Sequence, residues 1–371
     1  MHIGVPRERK TLEKRVAITP DGAHELVQRG HAVLMETEAG AGSHFSDQQY
    51  KDAGCRIVPT LKEVWTNTEL VVKVKEPHET EYEFFRPDVT IFDYLHLASM
   101  PELTRAMLKG KITGIAYELV QTEDRRLPLL EPMSEVAGKL SVLVGCHALL
   151  AQNGGRGMLM GGTLGVPPGN IVIIGAGVAG RNACEMALGM GAIVTVLDTD
   201  VRKLDLVKIQ FGGRAHTLHS TKAALERACE QAELLIGAVL IPGAAAPRII
   251  TRAMIRMMKR GSVFVDISID QGGCAETIHP TSLDKPTYEE EGVIHYGVCN
   301  MPAQTPRTST MALTAATLPY IVRLADLGIT KALTSVKELR GALNTYRGAL
   351  TNKAVSEAVG IDYTMIETAL G

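Results

Sequence analysis

The chain has 371 residues, enough for two domains at roughly 150 residues each. With 45% hydrophobic and 22% charged residues it has an ordinary globular composition, which excludes a disordered chain. Thirty-nine basic against 41 acidic residues leave a net charge of −2, so neither a nucleic acid nor a membrane is expected as a partner and a small soluble molecule is.

The first third alternates. HIGVP (2–6) reads as a strand. TPDGAHELVQRG (19–30) reads as a helix with Thr19 as its cap, Pro20 at its first position and Gly30 past its end. HAVLME (31–36) is a strand, and SDQQYKDAG (46–54) a short capped helix. CRIV, TLKEVWT and LVVKVK (70–75) give strand, helix, strand. VTIFDYLHL (89–97) is a strand, MPELTRAMLKG a helix, and ITGIAYELV (112–120) closes the series. Strands alternating with helices imply crossover units and a mostly parallel sheet.

The segment 129–152 breaks the rhythm. After Pro132 and a capping Ser134 it predicts one long apolar helix, and the domain hinge is placed here. A second alternating series follows, with strands at 170–175, 192–198, 233–239, 261–268 and 292–298. TSTMALTAATLPYIVRLADLG (308–328) begins another long helix, and KALTSVKELRGALNTY is expected to form one more. The fold class is therefore α/β. Two Rossmann-like domains are expected, with mostly parallel sheets flanked by helices and the active site in the interdomain cleft. The first comprises 1–128 with 307–371 and is discontinuous; the second, 129–306, binds the nucleotide.

Six cysteines stand alone at 55, 146, 184, 229, 274 and 299, without CxxC or zinc spacing, which predicts free thiols, no metal site and a reducing, cytoplasmic setting. MHIGVPRERK lacks the apolar core of a signal peptide, and the longest apolar run (234–247) is too short to span a bilayer and is broken by Pro242.

IVIIGAGVAGRNA places Gly175, Gly177 and Gly180 in G-x-G-x-x-G spacing between a strand and a helix. Gly175 permits the tight turn, Gly177 the approach of a pyrophosphate, and Gly180 close packing of helix on strand. The next strand ends in Asp198, 18 residues beyond Gly180, where a carboxylate accepts ribose hydroxyls and repels a 2′-phosphate. NAD is thus favoured over NADP, against the nearby positive charge of Arg202 or Lys203. A flavin site, or a glycine turn that binds nothing, are the other readings.

Ligands of open parallel sheets sit beyond the carboxyl ends of the strands. His96 lies there, because Ser99 and Glu102 (S-x-x-E) read as a capping box that starts the next helix. A core histidine is the alternative. Lys73 and Lys75 share one strand face, which suggests a rim at a cleft or a solvated edge strand. Asp266 falls within a strand and reads as structural. Asp270 follows the strand end and precedes two glycines, pointing to the nicotinamide end of a cofactor. Arg15 in EKRVAIT suits a carboxylate, but pattern alone does not separate it from a surface arginine.

The runs EPMSEVAGKLSVLVG, GAGVAG, IGAVLIPGAAAP, VDISIDQGGCAET, VCNMPAQTPRTST and ATLPY, with KRVAITP, AGAGSHFSDQQY, VKVKEP and YLHLA before them, resemble the NAD-dependent alanine dehydrogenases along almost the whole chain. The same fold family includes the NAD-binding part of proton-translocating transhydrogenase. The resemblance implies reversible oxidative deamination of L-alanine to pyruvate and ammonium with NAD, and a homohexamer. It makes Arg15 and Lys75 substrate-binding residues, and His96 and Asp270 catalytic. To the cofactor it assigns Ser134, Gly175, Gly177, Val178, Ala179, Gly180, Asp198, Lys203, Ser220, Val239, Leu240, Ile267, Asp270, Asn300 and Met301. The competing expectations are a transhydrogenase-type NAD(H)-binding subunit and a non-enzymatic NAD(H) sensor. The first does not explain a histidine and a lysine at the rim of the first sheet, since hydride exchange between nucleotides needs no such acid or base; the second would tolerate His96→Ala and Asp270→Ala with nucleotide binding and function intact.

Overall fold

Six apolar segments near the amino terminus become β1 (His2–Val5), β2 (Ala32–Glu36), β3 (Arg56–Val58), β4 (Leu70–Lys75), β5 (Thr90–Tyr94) and β6 (Thr113–Ala116). They lie in the order β3-β2-β1-β4-β5-β6, every neighbouring pair parallel. The chain travels one way from β1 to β3 and the other way from β4 to β6. The pair β1/β4 is therefore the switch point of a doubly wound sheet. Helices cover both faces, so the strands are buried on both: β5 is buried at every position and β4 at all but Lys75.

The computed structural model describes residues 1–239 and 246–371. The second sheet takes β7 (Asn170–Ile174), β8 (Ile193–Asp198), β9 (His216–His219), β10 (Leu234–Gly237), β11 (Val263–Asp266), β12 (Thr287–Glu290) and β13 (Val293–Tyr296). Its parallel part runs β9-β8-β7-β10-β11-β13, with the switch point at β7/β10, and β12 closes one edge antiparallel to β13. The chain divides into two units, Met1–Met133 with Ala303–Gly371, and Ser134–Pro302.

The carboxyl-terminal segment departs from its expected reading. The helix Pro306–Leu327 forms, but 331–346 is not one further helix. Helices Ile329–Ser335 and Lys337–Gly341 are followed by β14 (Leu343–Tyr346) and β15 (Ala349–Leu350). β14 pairs antiparallel with β6, so the first sheet has eight strands. The physical reason is local. Arg347 and Gly348 both have positive φ (50° and 96°), the two-residue turn that matches strand twist, and it folds Ala349 back on Tyr346.

The long apolar helix spans Glu131–Ala148 rather than 134–152. Pro132 sits inside its first turn, where a missing N–H costs nothing, so Ser134 is a helical residue and not the cap. The caps expected at Thr19 and Ser46 are present: Thr19 accepts from the amide of Gly22 and Ser46 from that of Gln49. Among the described residues no single helix is long and apolar enough to cross a membrane.

Candidate active site

Three of the expected site residues sit at the carboxyl edge of the first sheet: Arg15 after β1, Lys75 at the end of β4 and His96 after β5. The chain leaving β1 is tied to β4 by Glu8, a buried carboxylate that accepts from the amides of Val74 (2.6 Å) and Lys75 (3.4 Å). Glu8 also pairs with Lys73 at 3.4 Å, and Glu81 lies 3.1 Å from the same ammonium. Lys73 is fully buried in a central strand, so the solvated-edge reading fails, and Lys73 is not a rim residue. Burial opposes its charge, but Glu8, Glu81 and Asp93 outweigh that and hold it above the usual lysine range. Lys75, two residues on, is the half-buried end of β4, where the register with β5 shifts. Glu76 beside it is held below the usual carboxylate range: burial works the other way, and Lys75 with Lys10 prevails.

Arg15 is no surface arginine. It is 2% exposed and gripped by Glu13 in a fork, Nε to Oε1 at 2.7 Å and Nη2 to Oε2 at 2.6 Å, with Nη1 3.1 Å from Met133 Sδ. Burial disfavours the guanidinium, and Glu13 more than restores it. Such a pair holds the plane of the guanidinium rigidly.

His96 follows the end of β5 and adopts a left-handed backbone, φ 47°. Its neighbours Leu95 and Leu97 are buried while its own side chain is 43% exposed, so it is not a core histidine. Its ring lies parallel to that of Tyr94, with centroids 6.0 Å apart. The capping box is a correction. Ser99 closes a short turn by donating to the carbonyl of His96 (2.9 Å), and the helix Pro101–Lys109 starts at Met100 without a side-chain cap. Pro101 fixes the first helical position, which puts Ser99 one residue too early. Sequence reasoning passed over Glu118, which accepts the His96 amide at 2.7 Å. Its only signal was a carboxylate just beyond the end of β6. Glu8 and Glu13 were hidden in the run ERKTLEKR, which looks like a solvated charged loop.

In the second unit the glycine turn lies at the β7/β10 switch point. Gly175 has φ +107°, and a Cβ there would stand 2.3 Å from the carbonyl oxygen of Ala238. A Cβ on Gly180 would stand 1.8 Å from the carbonyl oxygen of Gly175, whereas one on Gly177 would meet nothing within 4 Å. The turn thus offers a space beside Gly177 at the start of the helix Val178–Gly189, where Val178 and Ala179 lie in the first turn. Amides at such a helix start receive phosphate, which is the fit a dinucleotide requires.

Asp198 ends β8, and its carboxylate accepts from the amides of Ala176 (2.7 Å) and Asp200 (2.8 Å), so it also shapes the glycine turn. Ser220 donates its amide to the Asp198 carbonyl (3.0 Å). Arg202 is paired with Asp200, Nη2 to Oδ2 at 3.1 Å, which offsets its positive charge. Lys203 is exposed on the same helix.

Asp266, fully buried at the end of β11, is structural as expected: it accepts from the amides of Ser268 (2.8 Å) and Cys274 (2.7 Å), closing the loop that carries Ile267 and Asp270. Ser268 Oγ in turn accepts the amide of Val239 (3.0 Å). Asp270 accepts the amide of Asn300 (2.9 Å), which has φ 55° and precedes the buried Met301. Leu240 lies outside the described residues.

Two family models match the chain: alanine dehydrogenase/PNT, N-terminal domain, over residues 4–137, and alanine dehydrogenase/PNT, C-terminal domain, over residues 141–353. Alanine dehydrogenase 2 of Staphylococcus aureus (strain USA300) is 52% identical over 371 residues, the whole of both chains. A solved L-alanine dehydrogenase superposes with a TM-score of 0.94 at 48% identity, covering 97% of this chain and 99% of that one. A transhydrogenase from Sinorhizobium meliloti has the same fold, with a TM-score of 0.81 at 24% identity, covering 95% of this chain and 100% of that one.

Proposed function

The chain belongs to the alanine dehydrogenase/PNT family, and on that premise we propose that it is an NAD-dependent alanine dehydrogenase. It converts L-alanine, NAD and water to pyruvate, ammonium, NADH and a proton, reversibly. The observation that carries this reading is the 52% identity over the full length of both chains to an alanine dehydrogenase. NAD, held at the glycine turn by Gly175, Gly177, Val178, Ala179 and Gly180, supplies the hydride acceptor.

The roles of the chain's own residues follow from their chemistry. Arg15, its plane fixed by Glu13, anchors the substrate carboxylate. Lys75 polarises the carbonyl or carbinolamine oxygen. His96, exposed at the strand end, passes protons as water adds to iminopyruvate and as the adduct releases ammonia. Asp270 holds the amino group and shares the proton handling. Asp198 accepts the ribose hydroxyls, with Lys203 and Ser220 beside it, while Ser134, Val239, Leu240, Ile267, Asn300 and Met301 line the cofactor. Residues 1–128 with 307–371 serve the substrate and 129–306 the nucleotide. The assembly is a homohexamer in the cytoplasm. A decisive assay follows NADH oxidation with pyruvate and ammonium supplied together and singly. Oxidation is expected only with both; oxidation that proceeds without ammonium overturns the assignment.

A further inference from the structure

Strand β5 ends at Tyr94, and the chain kinks at once. Leu95 stays buried, while His96 enters the left-handed region (φ 47°, ψ 37°), a backbone that residues with a Cβ seldom adopt. The two amides that lead into this kink are held by one carboxylate. His96 N–H donates to Glu118 Oε1 at 2.7 Å, and Leu95 N–H to Glu118 Oε2 at 3.3 Å. The same Oε1 stands 3.7 Å from His96 Nδ1, beyond hydrogen-bond length but well within reach of its charge. Glu118 lies on the short turn Tyr117–Leu119 that follows β6, the neighbour of β5. The grip therefore comes from the adjacent strand and not from the kink itself.

We infer that Glu118 is the positioning residue for His96. Its carboxylate secures the kink that turns the imidazole out of the sheet, and it keeps the neutral ring's proton on Nδ1. An ionised carboxylate only accepts, so a bare Nδ1 lone pair facing Oε1 is disfavoured against an N–H. Nε2 is then the nitrogen presented for proton transfer, on a ring parallel to that of Tyr94. The inference rests on the reading of His96 as the acid/base group. Glu118 itself does not touch substrate.

The test begins with the unaltered protein. Histidine-labelled protein gives ¹⁵N ring signals, and the set lost in His96→Gln belongs to His96. With the ring neutral, the Nδ1–H tautomer is expected, and a predominant Nε2–H tautomer overturns the inference. In parallel, Glu118→Gln keeps an oxygen for the shorter of the two amide bonds, that of His96, and removes the charge. Its kcat is expected to fall about 10–100-fold, with KM for NADH unchanged within about twofold. Wild-type kcat in Glu118→Gln, with His96→Gln inactive, overturns the inference and leaves the reading of His96 standing. Wild-type kcat in His96→Gln overturns both. Should Glu118→Gln fail to fold, the tautomer of the unaltered protein still decides.

Discussion

The last two glycines of the nucleotide turn respond oppositely to the same added methyl group. Gly177 has φ −70°, a conformation open to any residue, and its Cβ direction faces no atom within 4 Å. Gly177→Ala therefore leaves folding stability within about 0.5 kcal/mol of the parent. The methyl instead occupies the ground a pyrophosphate needs. Losing one charge-assisted hydrogen bond there costs about 1.5–3 kcal/mol, or roughly 10–150-fold in NADH affinity. Gly180→Ala puts its Cβ 1.8 Å from Gly175 O and 2.9 Å from Gly175 C, both backbone atoms that no rotamer change removes. The helix must draw back from β7 by roughly 1 Å, an overpacking cost of about 1–3 kcal/mol. At about 2–4 °C per kcal/mol for a unit of this size, the Tm falls visibly. NADH fluorescence titration and thermal melts of both variants supply the measurements. Parent-like NADH affinity in Gly177→Ala, or a parent-like Tm in Gly180→Ala, refutes the packing argument.

Further outcomes follow from the buried charges and the thiols. Arg15→Met strands Glu13 in the interior and is expected to cost about 3–5 kcal/mol in denaturant unfolding. The double variant Glu13→Gln/Arg15→Met recovers most of that stability yet stays inactive towards alanine. Burial pushes Cys55, Cys184 and Cys229 up to about 12 and Cys146 up to about 11, while Cys299 is exposed. Iodoacetamide at mildly alkaline pH is thus expected to label Cys299 first, and Cys299→Ser to abolish the fast phase seen by mass spectrometry. Arg256 and Arg252 draw half-buried Glu291 down from 4.5 to about 2. Its folded-state value is depressed, so its stabilisation is present above pH 4.5 and fades as the pH falls towards about 2. Glu291→Gln is expected to flatten the acid limb of a Tm–pH profile in that window, with the difference shrinking in high salt.

Most strands were legible because parallel strands buried on both faces are short, mostly apolar and separated by helix caps, as β4, β5 and β7 show. The β14–β15 hairpin was not, because LNTY follows two helical segments and its strand character depends on pairing with β6. The glycine turn was legible because its backbone demands are written in residue type. The carboxylates that organise the first unit were not. Glu8, Glu13 and Glu118 act through residues distant in sequence or through backbone amides, and nothing in ERKTLEKR or AYELV distinguishes a gripping carboxylate from a solvated one. Lys73 shows the converse: a lysine reads as solvent-facing until its acidic partners, Glu8 and Glu81, are found in the fold.

Tracing the hydride tests the proposed reaction most directly. NADH deuterated at the transferable C4 position is mixed with the protein, pyruvate and ¹⁵N-ammonium, and the products are read by mass spectrometry. Deuterium at Cα and ¹⁵N at the amino group of the same L-alanine molecules are the expected result. Deuterium passed to a second nucleotide, or alanine formed without the label from ammonium, would contradict it.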